Sequence, residues 1–278
     1  MSLVTSATHL KTPDPKDIQL LQELESRVKG HLLYSNHSEW VTSVQLERFL
    51  IARKHNVNEA YNLMSQALEW REKRKPDHFD KTADWEEKLS HEADTGKIYI
   101  PGNDKFGRSI VIFDNSVQNT NNVDNQMTFL AWNLETAAKL MKSEVDKYVV
   151  FMHLENFSFF NMPPISSTRE TIHMLCDCYP ERLGHCILFQ APGVFKMVFD
   201  GLRFLIDERT VSKMIFISGD CNDGSDNDIL MKQLIGDNWK VLTGAEQSVL
   251  KKGNSPGFEH SIYWASLMKR LAEVAENK

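Results

Sequence analysis

Residues 185–217 decide the fold, and they read H-C-I-L-F-Q-A-P-G-V-F-K-M-V-F-D-G-L-R-F-L-I-D-E-R-T-V-S-K-M-I-F-I. Two short apolar runs, 185–189 and 214–217, have the length and composition of buried strands. The apolar segment between them, 194–206, predicts a helix. A strand, a helix and a second strand in this order are typical of an α/β fold whose sheet is largely parallel.

The same alternation of strands and helices extends toward the N-terminus. K-I-Y-I-P and R-S-I-V-I-F-D predict two strands on either side of a turn at Gly107, and a helix over 124–145 leads into the strand Y-V-V-F-M-H-L-E. Upstream, apolar residues recur at helical spacing, as at Ala60, Leu63 and Met64. The predicted units are a helical N-terminal subdomain at 1–85, an α/β domain at 86–245 and a C-terminal extension with a helix at 246–278.

Composition excludes several classes of protein. The 278 residues include 38 acidic and 32 basic ones without a basic stripe, so no nucleic-acid partner is expected. The four cysteines lack metal-ligand spacing, and no metal site is predicted. No secretory leader and no run approaching the roughly 20 apolar residues of a membrane span is present. We therefore expect a cytoplasmic protein with reduced thiols, and a monomer as the default.

One pair of residues raises the alternative of an enzyme. His153 and Glu155 match H-x-E, half of the zinc-deaminase signature, and strand alternation places both on one face. They are either an acid/base pair or a satisfied polar pair near a strand end. The sequence contains no G-x-G-x-x-G motif after a strand, no phosphate-binding loop and no nucleophile elbow. The prediction is therefore a protein that is not an enzyme and needs no cofactor.

The helix predicted at 194–206 is unusually apolar, with nine apolar residues in thirteen. Its charged residues fall on a single narrow stripe: Lys196, Asp200 and Arg203. A helix that is apolar almost all round has more than one apolar neighbour. It is either a core helix between the sheet and the N-terminal helices, or a helix with one face on a hydrophobic cavity and another able to meet a membrane. Gly193 and Gly201 would permit hinge motion.

Three charged residues border apolar segments. Arg53 lies on the apolar side of its predicted helix, Glu181 precedes one buried strand and Lys213 adjoins another. Strand alternation places Lys213 on the same face as Ile215 and Ile217. Burying each charge alone would cost several kcal/mol, so partners are needed. Two interpretations stay open: an internal ion-pair network, or a headgroup site with cations for phosphate and a carboxylate for hydroxyls.

These segments resemble a known family. The stretch at 46–60, L-E-R-F-L-I-A-R-K-H-N-V-N-E-A, resembles the helical N-terminal part of CRAL-TRIO proteins. C-Y-P-E-R-L-G-H-C-I-L-F-Q-A-P-G-V-F, followed by L-I-D-E-R-T-V-S-K-M-I-F, resembles the most characteristic segment of that fold. The branch it resembles is the fungal-type phosphatidylinositol transfer proteins, over about 44–244. The resemblance implies a CRAL-TRIO lipid-binding domain at 86–245, with a largely parallel sheet floor and a mobile gate helix over a hydrophobic cavity.

The resemblance also implies roles for individual residues. The phosphatidylinositol headgroup would be bound by Arg53, Glu181, Thr210 and Lys213, with help from Lys54. The second ligand or acyl chains would lie against Tyr148, Val150 and Met152. The gate helix would present Val194, Phe195, Met197, Val198, Phe199, Leu202 and Leu205. Tyr148 and Val150 stand where members that bind phosphatidylcholine carry small hydroxyl residues, so phosphatidylcholine is not expected as the second lipid.

The function implied by the resemblance is phosphatidylinositol binding and transfer. Such a protein extracts single phospholipids, exchanges them during transient contact with membranes, and has the presentation of phosphatidylinositol to a phosphoinositide kinase as a further role. The alternative within the family is a carrier of a sterol or another lipophile. A regulatory scaffold is a third interpretation. Retention of the headgroup residues Arg53, Glu181, Thr210 and Lys213 favours phosphatidylinositol.

Overall fold

The α/β architecture is confirmed in the computed structural model, which describes residues 15–76, 89–160, 162–245, 255 and 258–276. The predicted boundary between 85 and 86 lies outside the described residues, as does the start of the segment that follows 245, residues 246–254. The division into three units therefore stays a prediction. Among the described residues, no helix has both the length and the apolarity needed to cross a bilayer.

Between residues 15 and 76, the N-terminal part contains three α-helices: α1 Pro15–Lys29, α2 Ser43–Ala52 and α3 Val57–Arg74. Polar caps fix where two of them begin. The Thr42 side chain accepts a hydrogen bond from the Gln45 amide, and the Asn56 side chain accepts from the first turn of α3. The apolar faces of the three helices pack into a core of their own, which includes Leu24, Leu46, Phe49, Met64 and Leu68.

Within the described ranges, the sheet has five strands in sequential order: β1 Ile98–Tyr99, β2 Ile110–Phe113, β3 Tyr148–His153, β4 Leu183–Phe189 and β5 Met214–Ile217. The first pair is antiparallel and the other pairs are parallel. Gly107 takes the predicted turn with φ +83°, and a Cβ there would meet Lys142 at 2.8 Å. Sequential parallel strands with right-handed crossovers place their connecting helices on one face of the sheet.

The connecting helices are α4 Val123–Lys139, α5 Ile165–His173, α6 Gly193–Leu202 and α7 Glu208–Val211. A π-helical turn, Met174–Cys178, extends α5, and a 3₁₀ turn, Arg203–Leu205, follows α6. After the sheet come α8 Asp226–Leu234, α9 Trp239–Thr243 and α10 His260–Glu276. The helix predicted over 124–145 thus ends earlier, at Lys139.

Alternation along the strands separates two apolar faces. One face, which includes Val111, Val150 and Leu188, packs in the cluster that holds α4. The opposite face, which includes Phe151 and Ile187, packs against α8 and α9. The first face also borders the space beneath α6, so the fold leaves one side of the sheet open to a cavity.

Candidate functional site

A cavity of about 860 Å³ lies between the first sheet face, α5 and α6. Its size falls within the range of about 300–1,000 Å³ found for ligand pockets. The three residues predicted to meet a second ligand or acyl chains, Tyr148, Val150 and Met152, all line it. Period-two alternation of β3 places them on one face, as the sequence predicts.

The helix α6 covers this cavity with one face and meets solvent with another. Its lining residues are Phe195, Met197, Val198, Phe199, Gly201 and Leu202. No residue of α6 is buried, so the interpretation as a core helix is wrong. Val194, the second residue of α6, and Leu205, in the 3₁₀ turn after it, do not line the cavity.

Aromatic contacts hold α6 in place over the cavity. The Phe195 ring lies 5.1 Å from that of Phe157 in the loop after β3, and the Phe199 ring lies 5.7 Å from that of Phe216 in β5. Edge-on pairs of this kind are worth about 0.5–1.5 kcal/mol each beyond the area they bury. The helix is therefore fastened by a few ring contacts and not by a continuous packed core.

A cluster of charges surrounds the Glu181 carboxylate at the cavity wall. Glu181 Oε2 lies 3.1 Å from Arg209 Nη2, 3.5 Å from Lys213 Nζ and 3.6 Å from Lys147 Nζ. The Glu181 side chain is only 8% exposed. Burial, together with the nearby Lys213 charge, lowers the pKa of the Lys147 ammonium. Three cations thus share one carboxylate, and the excess of positive charge suits an anionic group such as a phosphate.

The cluster forms because its members stand at the starts of neighbouring parallel strands. Lys147 directly precedes β3, Glu181 precedes β4 by two positions, and Lys213 directly precedes β5. Glu181 also has a left-handed backbone, with φ +57°, which is rare outside glycine and aspartate-like residues. Sequence reasoning missed Lys147 and Arg209. A lysine immediately before a buried strand is the signal that could have identified Lys147.

The predicted face of Lys213 is wrong. Lys213 lines the cavity together with Met214, whereas Ile215 and Ile217 pack on the opposite sheet face. The reason is that Lys213 ends the turn after α7, where its amide donates to the Thr210 carbonyl at 3.1 Å. Strand alternation begins only at Met214 and does not extend back to Lys213.

Arg53 lines the same cavity but does not contact Glu181. It caps the C-terminus of α2, and its Nη2 donates to Asp177 Oδ1 at 3.1 Å. Asp177 Oδ2 is hydrogen-bonded to His173 Nδ1 at 2.9 Å, which raises the pKa of that imidazole. The cavity therefore has a second ionic group, Arg53–Asp177–His173, beside the one around Glu181.

The remaining predicted headgroup residues also line the cavity. Thr210 lies in α7, where its amide donates to Asp207 Oδ1 at 2.9 Å, and Lys54 is exposed with φ +50°. All five predicted headgroup residues thus lie on the cavity wall. Of these five, only Glu181 and Lys213 form an ion pair with each other in the described structure.

The His153–Glu155 pair lies away from the cavity lining. His153 Nε2 is hydrogen-bonded to the Thr243 carbonyl at 2.7 Å, and its Nδ1 lies 3.2 Å from Glu155 Oε1. Both ring nitrogens of this buried histidine are therefore occupied, which favours the satisfied polar pair over an acid/base pair. Within the described part of the chain, no group of side chains has the arrangement of a metal site.

His185 is a buried histidine beside the cationic cluster. Its Nδ1 has no hydrogen-bond partner among the described residues. Burial, followed by the charges of Arg108 and Lys213, lowers the pKa of the His185 imidazole to about 4. His185 is consequently neutral in the folded protein at neutral pH.

His185 should make the protein sensitive to mild acid. Because the folded pKa of about 4 lies below the ordinary 6.5, the unfolded chain binds this proton first as the pH falls. Stability present above pH 6.5 is then lost progressively toward pH 4. We expect the wild type to lose about 1–2 kcal/mol more than His185→Gln between about pH 7 and 5, measured by urea unfolding. His91→Gln, at an exposed histidine, is the control, and equal losses in wild type and His185→Gln would contradict the assignment.

Comparison with known proteins identifies the family to which this architecture belongs. The family model described as CRAL/TRIO domain matches residues 93–236, which is more than half of the chain. The chain belongs to the CRAL/TRIO family. The matched region contains the five described strands and α6, which contribute most of the cavity wall.

Relatives of this CRAL/TRIO chain include fungal proteins. It is 27% identical over 247 residues to the phosphatidylinositol transfer protein PDR17 of Saccharomyces cerevisiae, covering 84% of this chain and 64% of that protein. It is 24% identical over 192 residues to the phosphatidylinositol transfer protein SFH5 of Chaetomium globosum, covering 62% of this chain and 44% of that protein. The predicted resemblance to the fungal-type branch is thereby confirmed. The chain spans less than two thirds of the length of either relative.

A solved structure agrees with the fold. The crystal structure of Sfh5 superposes with a TM-score of 0.62 at 15% sequence identity, covering 95% of this chain and 100% of that one. At this identity the likeness concerns the fold alone. The α/β prediction, with a helical N-terminal part before a largely parallel sheet, is confirmed by this neighbour and by the CRAL/TRIO match.

Proposed function

We propose that this protein binds phosphatidylinositol in the cavity beneath α6 and transfers it, one molecule at a time, between membranes. The observation that carries the proposal is an apolar cavity of about 860 Å³ whose wall includes Glu181 with an excess of cations around it. Relatives named as phosphatidylinositol transfer proteins support the same choice. The protein acts as a carrier, and no covalent step is required.

The apolar part of the cavity supplies the affinity for acyl chains. Each CH₂ group exposed to water costs about 0.8 kcal/mol, so two acyl chains of ordinary length cost on the order of 20 kcal/mol. A cavity lined by side chains such as Leu130, Val150, Leu188 and Phe199 offsets most of that cost. Bilayer and cavity then become alternatives of similar free energy, and the headgroup contacts decide which lipid is retained.

The charged part of the cavity supplies the selectivity. In the proposed complex Lys213 and Arg209 pair with the lipid phosphate, and Glu181 accepts hydrogen bonds from inositol hydroxyls. Thr210 adds a hydroxyl on the same wall. Arg53 also binds the phosphate in this complex, either while it keeps its hydrogen bond to Asp177 or after that bond breaks. In the structure Arg53 donates to Asp177 at 3.1 Å. Such charge-assisted hydrogen bonds are roughly twice as strong as neutral ones.

Membrane contact in this proposal occurs at the rim of the cavity. Met197 on α6 and Phe204 just after it are exposed, although Met197 also lines the cavity. The loop between the lining residues Phe157 and Ile165, whose Phe157 ring contacts Phe195 of α6, exposes Phe159 and Phe160. Exposed apolar patches around a cavity mouth are typical of surfaces that meet a membrane. We assign this rim, consisting of Phe159, Phe160, Met197 and Phe204, as the surface that touches the bilayer transiently.

The proposed compartment of this protein is the cytoplasm. The four cysteines are free thiols, as expected in a reducing compartment.

A second lipid would share the cavity against Tyr148, Val150 and Met152, and the absence of a hydroxyl pair there disfavours phosphatidylcholine. Presentation of bound phosphatidylinositol to a phosphoinositide kinase is the further role we propose, and a monomer suffices for each of these tasks.

The proposal is tested by identifying the cargo directly. Purified protein is incubated with vesicles that contain phosphatidylinositol, phosphatidylcholine and a sterol, separated from them, and measured by native mass spectrometry with lipid extraction. One phosphatidylinositol per chain is the expected result. Sterol alone in the cavity would overturn the proposal in favour of a sterol carrier.

Gly201 offers a test of whether α6 moves. A Cβ at Gly201 would meet nothing within 4 Å, so Gly201→Ala fits and should stabilise α6 by about 0.5–1 kcal/mol. If the glycine serves as a hinge, lipid exchange should slow several-fold while equilibrium lipid binding stays the same. Stopped-flow transfer of a fluorescent phosphatidylinositol measures the rate. A raised melting temperature with an unchanged exchange rate would contradict the hinge.

A further inference from the structure

A second, smaller cavity of about 290 Å³ lies between α2 and α4. Its wall includes Arg48 from α2, Glu135 from α4, Tyr148 at the start of β3 and Arg182 just before β4. Charged and hydroxyl-bearing side chains thus contribute to its wall. Nothing in the proposed lipid transfer uses this space.

Arg182 lacks an ion pair at this cavity. Its Nη1 donates to the Asp146 backbone carbonyl at 3.2 Å, and it makes no salt bridge with a carboxylate among the described residues. Burial lowers the pKa of its guanidinium. Most of the five N–H groups of this guanidinium are therefore available to a ligand.

Two further donors at this cavity are unengaged. Arg48 is only 6% exposed and its Nε has no hydrogen-bond partner, while its Nη2 lies at a long 3.5 Å from Asp146 Oδ2. Burial and the neighbouring Arg182 charge lower the pKa of Arg48 to about 10. Tyr148 is 1% exposed, and its hydroxyl also has no partner among the described residues.

The carboxylates nearby are mostly engaged. Glu135 lies 3.0 Å from Arg71 Nη1 and accepts a hydrogen bond from the Tyr179 hydroxyl at 2.7 Å. Glu39 is exposed at the rim. Asp146 contributes one negative charge, with its Oδ1 unpartnered, against the two guanidiniums of Arg48 and Arg182. The cavity therefore has hydrogen-bond donors in excess, since Arg48 Nε and the Tyr148 hydroxyl have no partner among the described residues.

We propose that this cavity is a binding site for a small soluble oxyanion of the phosphate class. Arg48 and Arg182 would hold its oxygens with forked hydrogen bonds, and the Tyr148 hydroxyl would donate to a third oxygen. Guanidinium groups match the geometry of phosphate oxygens better than ammonium groups do. Because Tyr148 lines both cavities, the bound anion would rest against the wall that the lipid cavity shares.

The test uses inorganic phosphate as the probe. It is titrated by calorimetry into the full chain at constant ionic strength, for wild type, Arg48→Gln, Tyr148→Phe, Lys213→Ala and Lys240→Ala. We expect one saturable site in the wild type, at least about tenfold weaker binding in Arg48→Gln and several-fold weaker binding in Tyr148→Phe. Lys240→Ala, at a lysine on neither cavity wall, is the control and should leave the affinity unchanged, while Lys213→Ala reports any phosphate bound in the large cavity. Tyr148→Phe deletes a single hydroxyl and keeps the test decisive if Arg48→Gln does not fold.

Two results would overturn the proposal. If phosphate binding is abolished by Lys213→Ala and retained by Arg48→Gln, the anion occupies the large cavity. If the wild type shows no saturable phosphate binding, no soluble oxyanion is bound. Vesicles containing anionic lipid form the second arm, in which weaker vesicle binding by Arg48→Gln without phosphate binding would assign the arginines to a lipid headgroup.

Discussion

Replacing Lys213 with alanine is expected to lower the transfer of phosphatidylinositol between vesicles by about thirty- to hundredfold. Lys213 Nζ lies 3.5 Å from Glu181 Oε2 at the wall of the lipid cavity, and in the proposed complex it pairs with the phosphate. Its loss leaves a buried phosphate underpaired. The fold should persist, because Arg209 and Lys147 still neutralise Glu181.

The measurement is transfer of phosphatidylinositol and of a sterol between vesicles, together with the melting temperature. Lys240→Ala is the matched control, since Lys240 pairs with Asp223, and neither residue is on the lipid cavity wall. A specific loss of phosphatidylinositol transfer in Lys213→Ala alone supports the headgroup assignment. Unchanged transfer would show that Lys213 and Glu181 serve as an internal ion pair and nothing more.

The fold was largely predictable because the apolar pattern of the strands is local. The run 214–217 was predicted as a strand, and β5 covers Met214–Ile217. The end of α4 was not predictable in the same way. The chain turns after Lys139, where the Lys142 amide donates to the Gly107 carbonyl at 3.1 Å, a contact between distant parts of the sequence. Where such a distant contact determines the end of a helix, the neighbouring residues in the sequence give little indication of that end.

The charged site was predictable only in part. Starts of neighbouring parallel strands lie side by side, so Lys147, Glu181 and Lys213 could have been grouped from the sequence alone. Arg209 could not, because it lies in a four-residue helix with no periodic pattern. The partner of Arg53 is Asp177, which is 124 positions away, and no spacing rule connects residues at that separation.

Removing two exposed phenylalanines is expected to weaken vesicle binding at least about hundredfold in the double variant Phe159→Ser with Phe160→Ser. Phe159 is 64% exposed and Phe160 is fully exposed, in the loop after β3 whose Phe157 ring contacts Phe195 of α6. Burying a phenylalanine side chain is worth about 1.5–3 kcal/mol, so even partial insertion of both rings accounts for the loss. Neither ring lines the cavity, and lipid already bound should therefore be retained.

The matched control is the double variant Leu32→Ser with Ile262→Ser, which removes two exposed apolar side chains from other parts of the surface. Flotation with vesicles gives the bound fraction, and circular dichroism verifies the fold. If both double variants lose binding equally, general surface hydrophobicity is responsible and the rim has no special role. If the phenylalanine variant binds normally but Met197→Ser with Phe204→Ser does not, α6 and the turn after it make the contact alone. If only the phenylalanine variant is impaired, the loop after β3 anchors the protein while α6 is left free to open.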